Sequence, residues 1–564
     1  MYRTFIAIIL LLISNFLYAQ GKKTKTKKIN PDTFIVNNLK DHISFLADDK
    51  LEGRRTGTRG EQLAMEYISN QFQTAGLQPK GTNNFYQSFE VNEGRQLDPS
   101  TSLRINNTEL VPGKEYFPFP YSPDITMEAI PSIALRESDM PWFFDLKETI
   151  EENKNNPHFD LEGFIKTKAE GVKKKNASAL FIYNTSVIDD KLSFNGKDRS
   201  AQLSIPVLYI AKNIALKLFQ DTDNPLDVKL KIKITEKIKK GNNVVGYINN
   251  NASQTVILGA HFDHLGYGED GNSMLRTGEK LIHNGADDNA SGTAALIELA
   301  KILSTSNSKN RNYLFIAFSG EELGLYGSKY FADNPTIDLK TASYMINMDM
   351  VGRLNDSSKI LTIGGFGTSP VWNDVINNND YFKPTGKKSV APSIVIRIDS
   401  SGTGPSDHTS FYRKDIPVLF YFTGLHSDYH KPSDDFQFIN YNGELQILKH
   451  IVAVIDKMNE KEKPLFAKTR EAQTSGSMRS GSVTMGVMPD YTFSGAGLRC
   501  DGVSEGRPAQ KAGIKAGDII LQIGDYTISS MDSYMQTLGK FKKGDKVKVK
   551  IKRGAETVET EVEF

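Results

Sequence analysis

Across residues 38–77 apolar positions recur at helical spacing among polar ones, with Leu63, Ala64, Tyr67, Ile68 and Phe72 on one face and Gly76 as a natural stop. The spacing predicts an amphipathic helix that leads into a short extended segment near residues 85–91. From about 97 to 238 the texture changes to short β-like runs, clearest at Ala179-Leu180-Phe181-Ile182-Tyr183 and Val207-Leu208-Tyr209-Ile210, between Lys-rich and Asn-rich loops. That shift predicts a separate, β-rich inserted module. Strand-like runs then return at 243–248, 254–258, 312–318, 343–348, 360–363 and 418–421, with helical patterns at 292–303 and 444–458 between or beyond them. Such alternation predicts an α/β fold, a sheet with helices on both faces. A polar stretch at 468–482 separates a last segment, 483–564.

At 564 residues the chain exceeds one ordinary core, so two or three domains are expected. The net charge of +2 arises from nearly balanced acids and bases, and beyond the lysines of residues 22–28 there is no basic stripe; no nucleic-acid partner is expected. Arg3, an apolar run at 5–17 and Tyr18-Ala19 before Gln20 read as a secretory signal over residues 1–19. The run is short for a bilayer span, so the expectation is an exported protein, periplasmic or secreted, with no membrane contact after cleavage. The lone Cys500 excludes an internal disulfide, leaving packing, metal and domain contacts to hold the exported chain together.

Chemistry collects at the ends of the predicted strands. His261 and Asp263 follow the 256–258 run, Glu321 and Glu322 follow 314–318, and Asp349 follows 344–346. Open α/β sheets gather ligands beyond the carboxyl ends of their strands, so three such ends can converge on one spot. Taken singly, His261-Phe-Asp263 is a weak signal, and Asp287-Asp288 before Asn289-Ala290-Ser291-Gly292 reads equally well as a capped helix start. Glu321-Glu322 says more, because adjacent acids after an apolar strand repel unless a cation or distinct roles separate them. Together with His430 these residues supply a shared carboxylate, imidazole and carboxylate ligands and one free base, the parts of a two-metal hydrolytic centre.

The runs Gly259-Ala260-His261-Phe262-Asp263-His264, Gly285-Ala286-Asp287-Asp288-Asn289-Ala290-Ser291-Gly292 and Glu321-Glu322-Leu323-Gly324-Leu325-Tyr326-Gly327-Ser328, followed by Asn347-Met348-Asp349-Met350 and Tyr429-His430, resemble the M28 family of co-catalytic zinc aminopeptidases. The resemblance covers residues 32–91 and 243–457 and implies a zinc-dependent exopeptidase fold with a mixed, mostly parallel sheet. It implies two Zn2+ ions bridged by Asp288, one completed by His261 and Asp349, the other by Glu322 and His430. Glu321 is then the proton acceptor, Asp263 takes a hydrogen bond from the far ring nitrogen of His261, Asp287 is the neighbour of the bridge, and His264 is structural. Gly404-Pro405-Ser406-Asp407-His408 resembles the loop lining the family's substrate cleft, and reads equally as a turn with an Asp cap.

Residues 97–238 resemble a protease-associated domain, expected to overhang the site and favour peptides. Residues 483–564 resemble a PDZ domain in Gly497-Leu498-Arg499 and in Ala509-Gln510-Lys511-Ala512-Gly513-Ile514-Lys515-Ala516-Gly517-Asp518-Ile519-Ile520. A C-terminal peptide ligand follows from that likeness, with the 494–498 loop either capturing its carboxylate or serving packing. The expected order is signal 1–19, peptidase 20–96 and 239–465 around the insertion, linker 466–482, and PDZ domain 483–564. The activity implied is removal of N-terminal residues from peptides. Carboxypeptidase or dipeptidase action, a one-zinc glutaminyl cyclase, and a catalytically silent peptide-binding protein stay open.

Overall fold

Strands Thr255–His261, Asn312–Phe318 and Ala342–Met348 are buried at every position, as strands covered on both faces must be. They lie in a computed structural model that describes residues 31–564 apart from 157–158, 199, 223, 276, 377–393, 470–482, 491–492, 494, 504–505, 530 and 543. The expected signal and most of the expected linker fall outside the described residues. Thr255–His261 is flanked in parallel by the other two, with Leu258 opposite Phe315 on one side and Ile346 on the other. Val418–Phe422 extends the parallel centre beyond Ala342–Met348. At the edges the pairing turns antiparallel, through Ile234–Ile248 against Asn312–Phe318 and Ile360–Gly364 against Val418–Phe422. Among the described residues the sheet has nine strands.

Helices cover both faces. Pro31–Leu46, Arg59–Thr74, Gly292–Ser304 and Tyr441–Asn459 bury Ile43, Ile68, Leu296 and Ile451 against Val256, Leu258, Phe315 and Ile346. Tyr326–Asp333 and His408–Tyr412 bury Phe331 and Phe411 on the other face against Ile257, Leu314 and Met345. Where the periodicity predicts one helix, the chain makes two, separated by a tight turn at Asp49–Arg54 with left-handed Glu52, Gly53 and Arg54. Local capping decides this break. Asp48 accepts the N–H of Lys50, and Thr58 with Glu61 starts the second helix by accepting the N–H groups of Glu61 and Gly57.

A long antiparallel ribbon, Tyr86–Leu97 against Ile234–Ile248, runs out of the main sheet into residues 98–233. There the chain builds two four-stranded sheets, with Ala179–Tyr183 and Val207–Ile210 at the centre of one. This part also holds helix Leu161–Lys173, whose Ile165, Ala169 and Val172 share its buried face and whose spacing the β-like runs on either side overshadow. The last module orders its strands Val487–Pro489, Leu498–Val503, Ile519–Ile523, Lys546–Arg553 and Glu556–Glu563, and buries Cys500 in its own core. No helix among the described residues is long and apolar enough to cross a membrane.

Ile346 is fully buried in the strand that delivers Asp349. Ile346→Ala should cost about 2–5 kcal/mol, read as a lowered denaturation midpoint of the sheet-bearing domain with the transition of the C-terminal module unmoved.

Candidate metal centre

The sheet register brings the chemistry together. His261 is the last residue of its strand and lies opposite Phe318, so the turn to Glu321 and Glu322 begins beside it. Asp349 follows Met348 at the end of the neighbouring strand. A left-handed Gly285 turns the chain into Ala286–Ser291, which presents Asp287 and Asp288 ahead of helix Gly292–Ser304. His430 arrives on the loop after Val418–Phe422.

Asp288 faces two groups at once. Its Oδ1 lies 3.4 Å from His261 Nε2, which is 3.3 Å from Asp349 Oδ1. Its Oδ2 lies 3.2 Å from His430 Nε2, which is 3.3 Å from Glu322 Oε2. The ligand atoms of His261, Asp288 and Asp349 fall within 4.8 Å of one another, and so do those of His264, Asp288 and Glu322. Glu321 Oε2 is 3.9 Å from His261 Nε2. All seven sequence-predicted site residues therefore meet in one place. His264, given no chemical role from the sequence, belongs there too, with Nδ1 2.7 Å from Glu322 Oε1 and 3.9 Å from Asp288 Oδ2.

The surrounding hydrogen bonds orient these groups. The carbonyl of Asp263 is 3.2 Å from His261 Nδ1, nearer than its carboxylate at 3.7 Å. That carboxylate instead accepts the N–H of Glu321 at 3.1 Å, the N–H of Glu322 at 3.4 Å and the Thr56 hydroxyl at 3.1 Å. Asp263 thus holds the Glu321-Glu322 backbone as well as the imidazole. His430 Nδ1 faces the Asn272 carbonyl at 2.9 Å, which leaves Nε2 for the centre. Ser406, in the loop read as cleft or turn, donates to Asp349 Oδ2 at 2.8 Å, so that loop supports a site carboxylate. Asp287 turns away and accepts the N–H of Gly352 at 2.7 Å. Asp434 accepts the N–H groups of both Asp287 and Asp288 at 3.0 Å.

Charge is the centre's dominant property. Burial raises Glu321 well above the usual carboxylate range, with Asp349, Glu322 and Asp407 pushing the same way. Burial also raises Asp407, to about 7. For Asp288 burial pushes up, but hydrogen bonds from His261 and His430 overcome it and hold the group well below its ordinary value. His430 is raised to about 11 because Glu322 and Asp288 outweigh its burial. So many carboxylates facing a few imidazoles in a buried space form a donor set that divalent cations would neutralise, and mixed nitrogen and oxygen ligands suit zinc. His264 Nδ1, beside Glu322 and Asp288, adds one more nitrogen to that set.

Tyr429 is a second functional neighbour. Its ring stacks on His430 at 3.9 Å, and burial together with Asp288, Glu322, Glu321 and Asp349 pushes its hydroxyl far up. Both His264 and Tyr429 sit beside residues already singled out, the one clue in the sequence. Asp434 gave no such clue.

The sequence matches peptidase family M28 over residues 243–455, the stretch that carries all seven predicted site residues. Residues 243–455 are an M28 peptidase domain. A PDZ domain follows at 483–564. Aminopeptidase YwaD of Bacillus subtilis is 25% identical over 309 residues, 52% of this chain and 60% of its own length. Leupeptin-inactivating enzyme 1 of Streptomyces exfoliatus is 33% identical over 170 residues, 29% of this chain and 35% of its own. The chain thus spans about a third to three-fifths of these two relatives. Among solved structures, a zinc aminopeptidase from Bacillus subtilis superposes with a TM-score of 0.42 at 20% identity, covering 76% of this chain and 98% of that one. A Bacteroides thetaiotaomicron glutaminyl cyclase gives 0.40 at 12% identity, with coverage of 76% and 98%.

The strand after the 494–498 loop, Leu498–Val503, pairs through Leu498 and Arg499 with Ile520 and Ile519, and through Cys500, Gly502 and Val503 with Pro489, Met488 and Val487. Among the described residues Val487–Pro489 and Glu556–Glu563 end the sheet. Ser494 itself lies outside the described residues.

In the M28 domain, Asp434→Ala would strand the buried N–H groups of Asp287 and Asp288, at about 1–3 kcal/mol each. The variant should unfold at lower temperature and retain less zinc after dialysis, read by elemental analysis.

Proposed function

We propose that this chain is a two-zinc metallopeptidase that removes residues from the N-termini of peptides. The observation carrying this reading is the two-sided placement of Asp288, with one oxygen toward His261 and Asp349 and the other toward His430 and Glu322. One ion would be held by His261, Asp288 and Asp349, the other by Asp288, Glu322 and His430. His430 is taken as ligand over His264 because the Asn272 carbonyl occupies its Nδ1 and leaves Nε2 nearly equidistant from Asp288 and Glu322. His264 engages Glu322 directly and orients that carboxylate.

Bound there, two divalent cations supply Lewis acidity for the scissile carbonyl and acidify water. The protein's part is proton movement and orientation. Glu321, uncoordinated in this assignment and steadied through its N–H by Asp263, accepts a proton from the attacking water and returns it to the leaving amine. Tyr429, stacked on His430 with its hydroxyl held protonated by burial and the nearby carboxylates, is assigned as a donor toward a developing oxyanion. The aminopeptidase names of relatives such as YwaD support the N-terminal direction.

Residues 98–233, read as a protease-associated module on the ribbon, would limit access to peptides. The edge strand Val487–Pro489 would hold a C-terminal peptide in extended form. The apolar leader at 5–17 places this activity outside the cytoplasm in our reading.

Glu321→Gln should keep fold and zinc while turnover falls by roughly 10²–10⁴; near-normal hydrolysis by that variant would refute the base assignment. The wild-type protein should hold two zinc ions per chain and cleave peptides with a free N-terminus in preference to N-blocked ones. A preference for free C-termini would instead favour the carboxypeptidase alternative, and a single ion would remove the bridge.

A further inference from the structure

Arg54 lies fully buried beneath the metal centre, and its side chain bonds no carboxylate. Nε donates to the Phe262 carbonyl at 2.7 Å, Nη1 to the carbonyls of Leu46 and Asn284, the latter at 2.6 Å, and Nη2 to the Gly285 carbonyl at 2.9 Å. Phe262 stands between His261 and Asp263, and Asn284-Gly285 leads into Asp287 and Asp288. One planar guanidinium therefore spans the two stretches that must deliver His261 and the shared Asp288, which are separated by more than twenty residues of loop. Only arginine offers enough fixed N–H donors for such a span; lysine carries the same charge on a point.

The turn carrying Arg54 is itself pinned. Gly53 is left-handed, and a Cβ there would lie 2.5 Å from the His283 carbonyl. The N–H groups of His264 and Gly266 donate to the carbonyls of Arg54 and Gly53 at 3.4 and 3.1 Å. Next along the chain, Arg55 points the other way and clamps Asp270 at 2.7 and 2.9 Å. The turn thus forms a wedge between the loop that leaves the His261 strand and the loop that reaches Asp288.

We propose that Arg54 is a positioning residue for the metal pair: its guanidinium sets the separation of the His261 and Asp288 stretches, so that one aspartate serves both ligand groups. The inference rests on the two-metal reading above. It makes the segment before the M28 match, residues 48–58, a working part of the centre although it offers no ligand.

The test compares full-length wild type, Arg54→Lys and Arg54→Met, each stripped with a chelator and then reloaded with Zn2+, by thermal unfolding and metal-buffered zinc titration. A brace acting through the centre predicts that both variants lose most of the zinc-induced rise in Tm and bind zinc at least tenfold more weakly, lysine included. A merely structural role lowers Tm equally with and without zinc and leaves that rise unchanged, which would overturn the proposal. Wild-type zinc affinity in Arg54→Lys would overturn it too, by reducing the role to charge. Should neither variant fold, hydrogen exchange on the wild type decides, because binding and segment stability are linked in both directions. Zinc must then slow exchange of the amides of residues 48–58, and unchanged exchange there would refute the idea. A wild type that gains no stability from zinc counts against the two-metal reading instead, so the two failures are distinguishable.

Discussion

Negative charge gathered in a dry space is what the rest of this structure has to accommodate. Asp263, Asp288, Asp349 and Asp407 are buried, and Glu321 and Glu322 stand beside them. Each buried carboxylate loses several kcal/mol of hydration unless a partner replaces it. Hydrogen bonding meets part of that demand. Asp263 spends both oxygens on N–H and hydroxyl donors, Asp349 takes the Ser406 hydroxyl, and the Asp287-Asp288 backbone is fixed by Asp434. Oxygens of Asp288, Asp349 and Glu322 face His261 and His430, and this inward remainder is what makes divalent metal a suitable complement.

The fold delivers that arrangement because a parallel sheet ends all its central strands at one rim. His261, the Glu321-Glu322 turn and Asp349 come from three adjacent strands, so their spacing is set by strand pairing and not by flexible loops. Backbone hydrogen bonds of a fully buried sheet are among the least deformable parts of a domain. The two contributions that do come from loops, Asp288 and His430, are each tied down by a contact from elsewhere in the chain, through Asp434 and the Asn272 carbonyl.

This division explains what could be read in advance. Buried parallel strands are written as continuous apolar runs, so Asn312–Phe318 and its neighbours were legible from composition alone, and the acids and histidines just past them marked the rim. The break between the first two helices was not, because a hydrophobic stripe carries the same period on either side of Asp49–Arg54 and does not register the caps that stop it. The carboxylate of Asp263, expected beside His261, lies 3.7 Å from its Nδ1 and also meets the Glu321 and Glu322 amides, contacts that two-residue spacing does not register. His264 and Asp434 gain meaning only from partners 58 and 146 or 147 positions away, beyond any local pattern.

The same logic extends to the two appended modules. Residues 98–233 are joined to the main sheet by the paired strands Tyr86–Leu97 and Ile234–Ile248, a ribbon whose inner end sits beside Asn312–Phe318, the strand that leads to Glu321. At its outer part Glu93 pairs with Arg55, which also clamps Asp270, and Lys197 donates to the Asp270 carbonyl at 3.0 Å. Two residues on, the Asn272 carbonyl holds His430 Nδ1. The inserted module therefore touches the centre's loops through a short chain of ion pairs and hydrogen bonds, not only through the covalent stem. A module tethered in that way is linked to the loop whose Asn272 carbonyl meets His430 Nδ1.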